Sequence, residues 1–151
     1  GVRPAWVGGT AELPRLLAQS DVLAVTVPLS AETEGLIGAA ELGLMKPTAV
    51  LVNVARGPVV DQAALYAALA GGALAGAALD VWWGAPEPGR TPPADFPFAD
   101  LENVILTPHH SGHARSTFEG RAADIAVNIA RLAGGLELCN VVRPARSATE
   151  Q

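Results

Sequence analysis

Four short apolar runs punctuate the chain: Val22 to Val27 (VLAVTV), Ala49 to Val54 (AVLVNV), Gly76 to Val81 (GAALDV) and Asn103 to Thr107 (NVILT). Runs of this length, bounded by turn formers, predict strands. Their near-continuous apolar character predicts burial on both faces. Counted from Val22, Ala49, Gly76 and Val104, the first residue of each run that is not polar, the intervals are 27, 27 and 28 residues. Units of nearly equal length are what right-handed crossovers in a parallel sheet produce. No sequence identity relates one unit to the next, so the regularity is architecture and not an internal repeat.

Helical spacing fills the intervals. Thr10 can cap a short helix over Ala11 to Gln19, with Glu12 in its first turn. Ser30 to Met45 reads as a helix on the spacing of Leu36, Ala39, Ala40 and Leu44, closed by Lys46-Pro47. Asp61 is the expected N-cap of a helix to Ala70, which Gly71-Gly72 stops. Gly84 to Pro97 is rich in proline and glycine and reads as a loop. His113 to Ala133 is a long helix with an apolar stripe of Phe118, Ala122, Ile125, Ile129 and Leu132, ended by Gly134-Gly135. The first nine residues are irregular, and the tail is expected to fray beyond Pro144. The expected class is α/β.

Composition narrows the functional classes. Of 151 residues half are hydrophobic and 17% charged, with a net charge of −5. Lys46 is the only lysine and no basic run exists, which argues against nucleic acid as a partner. The single cysteine, Cys139, excludes an internal disulfide framework. No leader and no apolar stretch of about 18 residues is present, so no membrane span is expected and a cytoplasmic protein is. The three histidines, His109, His110 and His113, lie within five residues, but no second cluster supplies further ligands, and no metal site is expected.

The chemistry sits where the apolar runs stop. The first ends at Pro28, the second at Asn53 with Arg56 close behind, the third at Asp80, the fourth at His109. Each has a plain structural reading. Asp80 can cap the loop that follows, Arg56 can pair with Asp61, and His109 can be a polar loop residue. Parallel strands, however, deliver all their carboxyl ends to one rim, where ligands of open α/β sheets bind. A cation, an acid and an imidazole gathered there make a candidate active site.

In order and spacing, V-N-V-A-R-G-P-V-V-D, A-A-L-D-V and N-V-I-L-T-P-H-H-S-G resemble the NAD(P)-dependent D-2-hydroxyacid dehydrogenases. That family includes phosphoglycerate, D-lactate, glyoxylate/hydroxypyruvate and formate dehydrogenases. V-P-L-S-A-E-T at Val27 to Thr33 fits as well, and the resemblance runs from about Leu13 to Pro144. It implies the second half of a Rossmann-type doubly wound parallel sheet with four main strands. Residues 1–138, with the long helix 113–133, would be the C-terminal part of an NAD-binding domain. Residues 139–151 would be a tail returning to a substrate domain that this sequence lacks.

The resemblance also implies roles. Arg56 would hold the carboxylate and carbonyl of a 2-hydroxy or 2-keto acid, for which a two-pronged guanidinium is suited. His109 would be the acid/base, since an imidazole titrates in the range that two-way proton transfer needs. Asp80 would contact the nicotinamide side of NAD, or of NADP, while Val27, Pro28, Val54, Ala55, Arg56, His109 and Gly112 complete the cofactor surface. The parent protein would be a homodimer.

Two departures from the family pattern bear on this. The family's catalytic glutamate usually stands five positions after the aspartate of L-D-V; here that position is Ala85, and Glu87 is the nearest substitute. No G-x-G-x-x-G occurs anywhere in the sequence, nor the acid about 20 positions after it that reads the ribose. The expectation is therefore the C-terminal portion of a dehydrogenase. Its rivals are a non-enzymatic dinucleotide-sensing module like the corepressors of the same superfamily, and an inactive fragment.

Overall fold

A computed structural model describes residues 3–84 and 94–142. The chain divides into two compact units, Gly1–Ser111 and Gly112–Gln151. The first contains one parallel sheet of four strands in sequence order: β1 (Val22–Val25), β2 (Val50–Asn53), β3 (Gly76–Leu79) and β4 (Val104–Leu106). All three pairings are parallel, as the equal intervals predict. Each strand stops one or two residues before the end of its apolar run, because the last residues of the run turn into the rim loops.

Helices α1 (Leu13–Gln19), α2 (Ala39–Leu44) and α3 (Gln62–Ala70) supply Leu17, Leu42, Leu65 and Leu69 to the core. The sheet meets them with Leu23 and Val25, Leu51 and Asn53, and Ala77 and Leu79, which alternate along their strands and share one face through the register. Connections that all step in the same direction lay their helices on the same face. The opposite face carries Val22, Val50, Val52 and Ile105, of which Val22 is 61% and Ile105 68% exposed. Burial on both faces is thus not what the first unit provides; one layer of helices covers one face.

The expected helix over Ser30–Met45 is corrected to six residues, Ala39–Leu44. Its first half is a turn held by side chains. The Thr33 hydroxyl donates to the Pro28 carbonyl at 2.7 Å and accepts from the Ser30 amide at 2.8 Å, a local alternative to helix that Ser and Thr commonly offer. Gly35 then adopts a left-handed φ of 65°, and Ile37 forms a parallel bridge with Val60. The start of α3 is as read: Asp61 caps it by accepting from the Ala64 amide at 2.7 Å. The expected Thr10 cap is corrected, since Thr10 is the first residue of a 3-10 turn, Thr10–Glu12, whose N-cap is Gly9; the Gly9 amide donates to the Glu12 carboxylate at 2.8 Å, and α1 follows from Leu13.

An aromatic cluster closes the core near α3. Trp83 stacks on Phe98 at 5.3 Å, Tyr66 meets the edge of Phe98 at 5.4 Å and stacks on Phe96 at 5.2 Å. The Trp83 Nε1–H donates to the Val60 carbonyl at 2.8 Å, so the polar end of the indole is satisfied inside the cluster.

The second unit is built on α4 (Arg115–Ala133). Gly134 ends it and Gly135 follows with a φ of 66°. Asn128 then binds the returning backbone twice, donating to the Cys139 carbonyl at 3.1 Å and accepting from its amide at 2.8 Å. Phe118, Ile125, Ile129 and Leu132 of the expected stripe are exposed. The fraying tail beyond Pro144 lies outside the described residues.

Gly57 is where the loops after β2 and β3 touch. A Cβ built there would sit 2.2 Å from the Trp82 carbonyl oxygen and 2.3 Å from its carbon, with backbone on both sides and no flexible side chain to yield. Gly57→Ala is therefore expected to cost about 1–3 kcal/mol, the usual range for overpacking. Urea unfolding of the two chains measures it, and equal midpoints would show that these loops are not in contact.

Candidate functional site

The ladder continues one residue beyond the strands. The Val54 amide donates to the Val25 carbonyl at 3.3 Å, the Asp80 amide to Asn53 at 3.0 Å and the Thr107 amide to Leu79 at 3.0 Å. The residues that leave the sheet are thus still in register when their side chains reach the rim.

Asn53 sets the loop after β2. It is fully buried, so both ends of its amide need partners. Its Oδ1 accepts from the Ala55 amide at 3.1 Å and its Nδ2 donates to the Arg56 carbonyl at 3.1 Å. The loop folds back over its own strand end, and the Arg56 side chain emerges exposed. One arm of the guanidinium donates to the Ala55 carbonyl at 2.6 Å. Val27, Pro28, Val54, Ala55 and Arg56 surround one cavity of about 410 Å³, together with Thr26 and Leu29. Val27 also lines a second cavity of about 550 Å³, with Trp6, Gly8, Leu13, Leu16 and Leu36 among its walls.

Asp80 organises the loop after β4. It is 4% exposed. Its Oδ1 accepts from the Thr107 hydroxyl at 2.6 Å and the His110 amide at 2.8 Å, and its Oδ2 from the Ser111 amide at 2.9 Å. Burial pushes its pKa up, but the hydrogen bonds from Ser111, Thr107 and His110 together outweigh that and hold the carboxyl well below the usual aspartate range. His109 sits inside this turn, exposed, with a backbone φ of 61°.

Of the residues singled out from sequence, five meet at the first cavity, while Asp80 and His109 stand at the ends of β3 and β4 and are not among its lining residues. Gly112 begins the second unit. Glu87, the candidate third catalytic residue, lies outside the described residues, as does Ala85. The sequence reading missed the work of Asn53 and Thr107. A signal existed for Asn53: a polar side chain at the end of an apolar strand, one residue before a rim loop, must find a partner when it is buried; Thr107 is exposed and gave no such signal.

The chain is similar to known proteins over most of its length. The family model described as D-isomer specific 2-hydroxyacid dehydrogenase, NAD binding domain, matches residues 6–111. Glyoxylate/hydroxypyruvate reductase B of Pectobacterium carotovorum is 41% identical over 133 residues, covering 88% of this chain and 40% of that protein. The structure of a D-isomer specific 2-hydroxyacid dehydrogenase from Xanthobacter autotrophicus Py2, in complex with NADPH and MES, aligns with a TM-score of 0.72 at 40% identity, over 90% of this chain and 53% of the other. The NAD complex of the corresponding Lactobacillus delbrueckii enzyme aligns with a TM-score of 0.76 at 31% identity, over 86% and 42%. The chain spans about two fifths of the length of the curated relative.

The charge on Asp80 gives a pH signature. A carboxyl whose folded pKa is depressed contributes stability that is complete above its unfolded pKa and is lost as pH falls toward the folded one. The stability difference between the native chain and Asp80→Asn should therefore be constant near neutrality and shrink below about pH 4. Urea midpoints across that range read it; a difference that stays flat would mean the carboxylate charge is not engaged by the turn.

Proposed function

The chain belongs to the D-isomer specific 2-hydroxyacid dehydrogenases, through their NAD-binding domain, and from that premise we propose that it supplies the catalytic Arg and His of an NAD(P)-dependent interconversion of a D-2-hydroxy acid and its 2-keto acid. The observation that carries the reading is the cavity at the rim, where Val27, Pro28, Val54 and Ala55 meet the exposed guanidinium of Arg56. An apolar wall with one cation at its edge suits the flat ring of a nucleotide beside the carboxylate of a small acid. Val27 is common to two cavities, which gives an extended ligand a place for each of its ends.

Arg56 binds the substrate carboxylate and orients the 2-position. Its fixed fork of donors matches two oxygens at once. Val54 and Ala55 keep water from the reacting face. His109 takes the proton from the C2 hydroxyl in oxidation and returns it to the carbonyl oxygen in reduction, at a ring nitrogen. Glu87 is the proposed partner of His109, where a carboxylate would stabilise the imidazolium form. The dinucleotide, when bound, supplies the hydride chemistry. Residues 1–138 form the nucleotide-binding part and 139–151 the tail. Within this sequence no glycine-rich turn cradles a pyrophosphate, so cofactor binding by this chain alone is weak and turnover is absent, since reactants are not held in near-attack geometry.

Nuclear magnetic resonance of the chain tests the site directly. NADH at concentrations on the order of millimolar is expected to shift the amides of residues 26, 27, 29 and 54–56, and glyoxylate to shift the side-chain Nε–H of Arg56. Shifts confined to other surfaces would reject the site. Assay of the same chain with a panel of D-2-hydroxy acids should give no measurable rate; turnover on the order of 1 per second would show that the chain needs no glycine-rich turn.

A further inference from the structure

His109 occupies the left-handed region of backbone space, φ 61°, and among the described residues Asn140 is the only other non-glycine to do so. An L-residue with a Cβ resists that conformation, so its surroundings must over-determine it. They do so through one carboxylate. The residue two before His109 is tied to Asp80 by its hydroxyl, Thr107 Oγ1 to Oδ1 at 2.6 Å. The two residues after it are tied by their amides, His110 to Oδ1 at 2.8 Å and Ser111 to Oδ2 at 2.9 Å. Thr107 is further held to the sheet through its amide and Leu79. Pro108, between Thr107 and His109, has a fixed φ and no N–H to offer. Successive amides that converge on one anion form a concave nest, whose backbone alternates between right- and left-handed residues.

We propose that Asp80 is a positioning residue for His109: by binding Thr107 on one side and His110 and Ser111 on the other, it holds His109 in its left-handed conformation and so fixes the direction in which the imidazole leaves the rim. This differs from the cofactor contact that family resemblance implies for Asp80. Its catalytic meaning rests on the proton-transfer reading of His109, but the clamp itself does not. A carboxylate is the side chain that can do this, since it accepts on two oxygens and donates nothing, whereas an amide would turn a donor toward at least one of the three donors.

The test compares His109→Gly with His109→Ala in the full chain, each in three backgrounds: native, Asp80→Asn and Thr107→Val. In the native background the glycine variant should be the more stable, by about five- to thirty-fold in the folding equilibrium constant, because glycine adopts φ > 0 freely and alanine does not. Asp80→Asn should abolish that preference, since the released turn no longer demands the left-handed conformation. Thr107→Val removes one bond of the three and should reduce it, and it carries the comparison if Asp80→Asn does not fold. A general structural role would lower all variants alike and leave the Gly-to-Ala ratio unchanged, which overturns the proposal. Without substitution at 109, the His109 ring resonances should shift in Asp80→Asn and Thr107→Val; unmoved resonances would also overturn it. Neither measurement uses turnover, so failure of the proton-transfer reading and failure of the clamp are separate results.

Discussion

The parallel ladder is the constraint on which the site depends. In a parallel sheet each strand delivers its carboxyl end to the same edge, and here the hydrogen bonding runs one residue past β2, β3 and β4, from Val54 to Val25, from Asp80 to Asn53 and from Thr107 to Leu79. That extra bond matters more than its energy, roughly 0.5–1.5 kcal/mol for an ordinary backbone pair. It fixes the first residue of each rim loop before the loop begins to wander. Side chains that are far apart in sequence then arrive with little conformational freedom left to lose.

Two buried polar side chains turn that register into loop geometry. Asn53 and Asp80 are adjacent along the rim, linked by the Asp80 amide and the Asn53 carbonyl. Asn53 points its polar end at backbone alone, and Asp80 at two backbone amides and the Thr107 hydroxyl. Asn53 holds Ala55 and Arg56, and Asp80 holds His110 and Ser111. Each therefore acts on a loop mainly through main-chain atoms, with the Thr107 hydroxyl as the one side chain drawn in. Apolar substitutes of similar shape would leave those amides and carbonyls without these partners, a cost that reaches about 1–3 kcal/mol for a group that water cannot reach.

Most of the frame was legible in the sequence because it rests on local rules. Apolar runs at intervals of 27, 27 and 28 residues gave the four parallel strands, and Asp61 announced the start of α3 by its type and place. What was not legible depended on competition between neighbours. The spacing of Leu36, Ala39, Ala40 and Leu44 is helical, yet Thr33 and Ser30 bind one another and the Pro28 carbonyl, and the stretch around them becomes a turn. Gly57 reads as part of a turn, but its lack of a Cβ serves the approach of Trp82 from another loop. The apolar strands suggested two covered faces because hydrophobicity alone does not say which elements lie where; the common direction of the crossovers decides that. At the site, Arg56, Asp80 and His109 stood out by type. The turn that contains His109 did not, since it needs the Thr107 hydroxyl and two amides to be near Asp80 in space, and no local pattern states that.

The residue type at position 80 follows from this geometry. A buried anion is costly in a protein interior unless its oxygens are well supplied with donors. Here it receives a hydroxyl and two amides, and the hydrogen bonds outweigh the effect of burial on its pKa. The carboxylate stays charged, and a charged acceptor binds amides about twice as strongly as a neutral one. The surplus can be set against the unfavourable backbone of His109. Burial, charge and backbone strain at neighbouring positions are thus one balance: the negative charge is tolerable because the turn supplies its donors, and the turn is tolerable because the charge binds them.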